Sequence, residues 1–215
     1  MNTALISATL PPIASLDLYI QAVNKIPLLT AEEESSLAKR LKEENDLDAA
    51  RILVMSHLRL VVSIARRFNG YGLPFADLIQ EGNIGLMKAV KRYDYENGAR
   101  LVSFAMHWIK AEIHEFVLKN WRIVKIATTK AQRKLFFNLR SMRSDLDTLD
   151  SNEIDRISKA LNVKTSDVSE MEARMSGHDL ALDPLSMDED NEYSPISYLP
   201  TPYLDPSQTL EEKQL

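Results

Sequence analysis

Eight cationic side chains, Lys119, Arg122, Lys125, Lys130, Arg133, Lys134, Arg140 and Arg143, fall between Glu115 and Asp145, an interval with no acidic residue. Cations crowded in this way repel one another unless a polyanion neutralises them, and a nucleic-acid backbone is the natural polyanion. Aromatic residues run ahead of and through the same stretch: Phe104, Trp108, Phe116, Trp121, Phe136 and Phe137. A basic groove bearing rings is what a single-stranded nucleic acid requires, because each base stacked on an aromatic face gains ~1–3 kcal/mol. Helical spacing also places Phe104, Trp108 and Phe116 on an apolar stripe, and such a stripe is a core pattern as much as a site pattern.

Bond-making chemistry finds no comparable support. The chain has no cysteine, which excludes disulfides, thiolate metal sites and thiol nucleophiles. His107 and His114 stand seven apart with no second ligand at four-residue spacing, so neither a metal nor another cofactor is expected. No nucleophile elbow, phosphate-cradling glycine loop or paired acid and base carboxylates can be identified. The sequence therefore reads as a binding protein and not an enzyme.

Charge is distributed to match. The 215 residues carry a net charge of -5. Residues 51–140 hold sixteen Lys and Arg against six Asp and Glu, a balance of +10, and the remainder is at -15. An acidic chain with one basic block suggests that the block meets the polyanion while its flanks serve otherwise. There is no basic amino-terminal targeting segment and no apolar run of roughly 18 residues, so a cytoplasmic protein without a membrane span is expected.

The elements that must position these residues read as helices throughout, since apolar residues recur at three- and four-residue spacing and glycine is scarce. After a disordered start over 1–14, Ser15 or Asp17 caps a helix to about Lys25. Thr30 with Glu33 forms a capping-box pattern for a helix through Leu41. A third helix covers about 47–68, with Leu53, Val54, Leu58, Val61, Val62 and Ala65 on one side. Asp77 is expected to cap the next, and a long helix begins near Leu101. There Leu101, Phe104, Ala105, Trp108, Ile109, Ile113, Phe116 and Val117 form an apolar stripe, and Ser103, His107, Lys110 and His114 a polar one. Helices near 129–147, 151–161 and 165–176 make a smaller unit. Its last two flank a turn at Leu161 to Lys164 in the manner of a helix-turn-helix, with Thr165 or Ser166 as the second cap. From Gly177 onward, five of the nine prolines and nine acidic residues against one lysine describe an extended linker.

Two segments carry a family resemblance. "DLIQEGNIGLMKAVKRYD" at Asp77 to Asp94 resembles the core-polymerase-binding segment of bacterial RNA polymerase sigma factors, and "LVSFAMHWIKAEIHEFVLKNWRIVKIATTK" at Leu101 to Lys130 resembles their melting and minus-ten-recognition helix. With "LRLVVSIARRF" at Leu58 to Phe68, the likeness runs from about Ser15 to Met175. "QRKLFFNLR" at Gln132 to Arg140 is similar to the segment that marks the heat-shock (RpoH) type. The implied architecture is all-α: a region 2-like bundle over 15–127, a small helix-turn-helix-like region 3 unit over 128–176, and the acidic Pro-rich linker over 177–215. The family continues into a domain that reads the minus-thirty-five element, and the chain is expected to stop short of it.

The resemblance implies residue roles. Asp77, Gln80, Glu81, Asn83 and Met87 match positions that dock on the coiled coil of the polymerase beta-prime subunit. Gly82 and Gly85 cost a helix ~1 kcal/mol each relative to alanine, and so predict a tight contact there. Phe104, His107 and Trp108 match the aromatic group that separates the strands of promoter DNA and holds the non-template strand, with His107 departing from the tryptophan pair of housekeeping members. Lys110, His114, Arg122 and Lys125 match the DNA-facing side of the same helix. Thr129 and Lys130 match the contact with the duplex just upstream, and Arg133 is counted with them. Lys130 is positioned by this likeness to read guanines opposite a C-rich segment through O6 and N7. Chaperone binding and regulated proteolysis are implied by the subgroup alone. The expected activity is a sigma factor directing core RNA polymerase to heat-shock promoters. The rivals are a free-standing helix-turn-helix regulator and a truncated decoy that occupies polymerase.

Overall fold

A computed structural model describes residues 15–142 and 149–177, together with 179, 182, 196 and 199. Among these residues the regular structure is helical: α1 (Leu16–Lys25), α2 (Ala31–Glu44), α3 (Leu47–Ala65), α4 (Phe75–Arg92), α5 (Leu101–Asn120), α6 (Lys130–Met142), α7 (Ser151–Leu161) and α8 (Thr165–Ser176), with 3-10 turns at Arg66–Tyr71 and Tyr95–Asn97. The expected all-α fold is therefore the one observed. The expectations for 1–14, for Arg143 and for nearly all of the linker lie outside the described residues.

The first five helices form one bundle. Thr30 accepts a hydrogen bond from the Glu33 N–H while the Glu33 side chain accepts one from the Thr30 N–H, so the capping box forms as expected and α2 runs on to Glu44. The third helix ends at Ala65 and tightens into the 3-10 turn, which carries Phe68 and Tyr71. α4 lies between α3 and α5, packing most extensively on α5. Leu101, Ala105, Ile109, Ile113 and Val117 are all fully buried, a four-residue step that tracks one helical face.

Three local expectations are corrected. α4 begins at Phe75 behind Pro74, so Asp77 sits in its first turn instead of capping it, where its charge still complements the helix dipole. Lys164 occupies the N-cap of α8 and makes no side-chain cap bond, leaving Thr165 as the first helical residue. Gly82 and Gly85 do mark a tight contact, but it is internal. A Cβ on Gly85 would lie 2.8 Å from both the Cα of Ile109 and the carbonyl oxygen of Trp108, and one on Gly82 would lie 2.5 Å from Val61 Cγ1. Gly85 thus lets α4 and α5 touch backbone to backbone, while Gly82 makes room for the Val61 side chain of α3, so both close approaches lie inside the bundle.

α6, α7 and α8 pack on one another through Leu135, Leu139, Ile157, Leu161, Val168 and Met171. Asn162 closes α7 in the left-handed conformation at φ 49°, which asparagine adopts more readily than most residues. Rings join this unit to the bundle: Tyr71 lies 5.6 Å from Phe136 and 5.8 Å from Phe137, and Trp121 meets Phe136 edge-on at 5.0 Å.

Candidate nucleic-acid and polymerase interface

Two faces, one on α4 and one on α5, carry most of the residues singled out in the sequence. On α4, Asp77 and Gln80 are exposed and Glu81 is half-buried; Met87 is 51% exposed. Asn83 is half-buried: its Nδ2 donates to the Tyr19 hydroxyl at 3.4 Å and to Gln80 Oε1 at 3.3 Å, while its Oδ1 is buried without a partner. Burial holds the Tyr19 hydroxyl above its ordinary pKa, with the Asn83 contact acting the other way. Ile84, between Gln80 and Met87 on the same side, is also exposed. The sequence reading missed it, although its spacing of four and three from those residues is the signal that finds it.

On α5, Phe104 and Trp108 are half-buried, neither in the core nor free of it. Their rings lie 6.1 Å apart, and Phe104 rests 6.1 Å from Tyr93. The guanidinium of Arg92, the last residue of α4, sits 4.5 Å from the centre of the Trp108 ring. One turn further on, Lys88 pairs with Glu112 at 2.7 Å. Ser103 and His107 are exposed beside these rings.

The rest of the expected DNA-facing set is arranged less simply. His114 does not project outward with Ser103 and His107. Its ring lies 5.0 Å from Phe68 and 4.2 Å from Phe137, and burial, with help from Lys110, lowers its pKa. Phe136 is fully buried, and the half-buried Trp121 and Phe137 pack against it, so these rings contribute to the joint between the two units. Arg122 stacks on Trp121 and donates to the carbonyl oxygens of Arg174, Met175 and Gly177, satisfying the carboxyl end of α8. Thr129 accepts from the Gln132 N–H at 3.2 Å while Gln132 Oε1 accepts from the Thr129 N–H at 3.1 Å. That reciprocal cap starts α6, and its Thr-x-x-Gln spacing was legible in the sequence. Lys110 is half-buried and Lys130 exposed.

The eight cations are also not without counter-charge. Glu115, the residue that opens the acid-free interval, lies 3.7 Å from Lys119, 3.7 Å from Lys125 and 3.6 Å from Arg133. Helical periodicity gives Lys119 as a neighbour, but only the chain reversal into α6 brings Arg133 across.

A second unforeseen residue orients the whole face. Glu34 on α2 is 1% exposed. Its carboxylate accepts from the Leu101 N–H at 2.6 Å, from Arg100 Nε at 3.2 Å and Nη2 at 3.0 Å, and from the Tyr93 hydroxyl at 3.3 Å. Burial by itself would raise its pKa; the Arg100 and Leu101 hydrogen bonds outweigh that and leave it below the ordinary carboxylate value. An anion here satisfies an orphan N–H and complements the dipole at the start of α5.

Among the described residues no cluster of side chains is arranged to hold a metal ion, and no helix is long and apolar enough to cross a membrane.

The Sigma-70 factor, region 1.2 family matches residues 15–47, covering α1 and α2, and the Sigma-70 region 2 family matches residues 53–123, covering most of α3 through the end of α5. The RNA polymerase sigma factor RpoH of Zymomonas mobilis subsp. mobilis is 46% identical over 199 residues, an alignment that takes in 86% of this chain and 66% of that protein. The chain thus spans just under two thirds of the length of this curated relative.

Proposed function

We propose that this chain, which belongs to the bacterial RNA polymerase sigma factors of the RpoH type, directs core RNA polymerase to heat-shock promoters and nucleates melting of the minus-ten element. The observation that carries this reading is the backbone contact of α4 with α5 at Gly85. A helix whose outer side presents Asp77, Gln80, Ile84 and Met87 to the polymerase beta-prime coiled coil is thereby locked to the helix that presents Phe104, His107 and Trp108 to DNA. Docking on one face sets the position of the other without an intervening flexible joint.

Strand separation breaks stacking worth ~1.4 kcal/mol per base step on average, and the sequence carries no nucleotide-hydrolysis motif to supply it. Flipped bases of the non-template strand, captured on the exposed side of Trp108 and beside His107, return part of that cost. Lys110, Lys125, Lys130 and Arg133 bind phosphates and fix register, which carries no sequence information by itself. Lys130 additionally reads a C-rich upstream duplex through its guanines. Arg122 and Thr129 hold the connector that aims these residues. The same family likeness supports cytoplasmic action, no catalysis of its own, and control by chaperones and a regulatory protease.

Co-purification with core RNA polymerase tests the reading. The native chain is expected to be retained, and Gln80→Ala with Asn83→Ala to be lost from the complex while folding normally. Equal retention of the double variant removes the assigned docking face. No retention of the native chain at low salt removes the proposed function. Run-off transcription then separates initiation from mere occupancy of polymerase.

A further inference from the structure

Glu115 stands on the DNA-facing surface with the wrong sign for a phosphate partner. Lys119 from α5, Lys125 from the connector and Arg133 from α6 converge on its carboxylate at 3.6–3.7 Å. All four side chains remain between 36% and 61% exposed. Arg133 also has a buried Nε with no hydrogen-bond acceptor. Three cations drawn from three elements onto one pair of oxygens form the arrangement a DNA phosphate would otherwise receive. Exposed ion pairs of this length add little to folding stability, so stability gives no strong account of a carboxylate in this position.

We infer that Glu115 is an internal competitor for the DNA backbone, occupying the anion position of Lys119, Lys125 and Arg133 and thereby limiting how tightly this surface binds phosphates regardless of sequence. A phosphate approaching these cations must share them with the carboxylate, which also repels it. Backbone contacts position without specifying, so a brake placed here weakens unspecific attachment while leaving base capture at Phe104, His107 and Trp108 untouched. The inference rests on the DNA-facing reading of this surface and concerns its strength, not its existence.

The test is binding of a random-sequence duplex to the full chain, by fluorescence anisotropy across a series of potassium chloride concentrations, for native protein, Glu115→Gln, Lys125→Gln with Arg133→Gln, and the triple variant. Glu115→Gln is expected to bind about tenfold more tightly at low salt, with a plot of log affinity against log salt steeper by about one unit, because roughly one more phosphate is engaged. That gain is expected to vanish in the background lacking Lys125 and Arg133. Unchanged affinity and slope, or a gain that persists in that background, overturns the inference. Weaker binding by Glu115→Gln overturns it too, and a matching fall in melting temperature would then mark Glu115 as a latch between α5 and α6. These measurements need no polymerase, so they stand apart from the co-purification on which the function rests.

Discussion

The carboxylate of Glu34 and the backbone N–H of Leu101 meet at 2.6 Å, joining the second helix to the first residue of the fifth. Sixty-seven positions separate them, and both are buried. Arg100 and Tyr93 donate to the same carboxylate and His57 Nε2 lies 3.7 Å from it, so the start of α5 is fixed by a residue of α2.

Removing that anchor is expected to be costly. Glu34→Ala leaves the Leu101 N–H buried without an acceptor and should destabilise the chain by about 2–3 kcal/mol, read from urea denaturation. Glu34→Gln should cost less, because an amide oxygen can still accept from Leu101.

The same site gives acid sensitivity. The folded pKa of Glu34 lies below its unfolded value, so its stabilisation is complete above about pH 4.3 and is lost as pH falls through the folded value. Stability measured from pH 7 down to 3 should therefore show a steeper acid limb in the native chain than in Glu34→Gln.

His114 acts over a higher window. Burial between Phe68 and Phe137 lowers its pKa, so below about pH 6.5 the unfolded chain takes up the proton first and stability declines until the folded value is passed. His114→Phe is expected to remove this component from a stability profile between pH 7.5 and 5, and to leave binding of duplex DNA at pH 7.5 nearly unchanged.

Gly85 sets two effects against each other. Alanine is the better helix former by ~1 kcal/mol, yet its Cβ would fall 2.8 Å from the backbone of Ile109 and Trp108, and overpacking of this kind costs typically ~1–3 kcal/mol. Backbone cannot rotate out of the way as a side chain can. Gly85→Ala should lower the melting temperature and slow promoter melting, the latter because α5 is pushed off α4.

Arg92 and Trp108 can be separated more gently. Arg92→Gln removes a cation–ring contact worth about 0.5–1 kcal/mol at an exposed site and should shift the emission of Trp108, measured with Trp121→Phe to remove the other indole. Retention on core polymerase should be unaffected, while the fraction of open promoter reported by a fluorescent base analogue falls.

Local patterns were sufficient for much of this molecule. The Thr30 capping box, the buried four-residue stripe of α5 and the break between α7 and α8 depend on residues within a few positions of one another, where helical geometry alone fixes who meets whom. The all-α class follows from such patterns, as does the placing of the exposed Asp77, Gln80 and Met87 on one side of α4. Spacing could not decide which cations are free and which rings are available, because both depend on what another element brings into contact. Glu34 reaches Leu101, Glu115 reaches Arg133, and Arg122 reaches the end of α8 only after the chain has doubled back. Phe136 is likewise core because Tyr71 and Trp121 come to lie beside it. Periodicity assigns a side chain to a face of its own helix, but burial and charge compensation are properties of pairs of faces, and those pairs exist only in the folded chain.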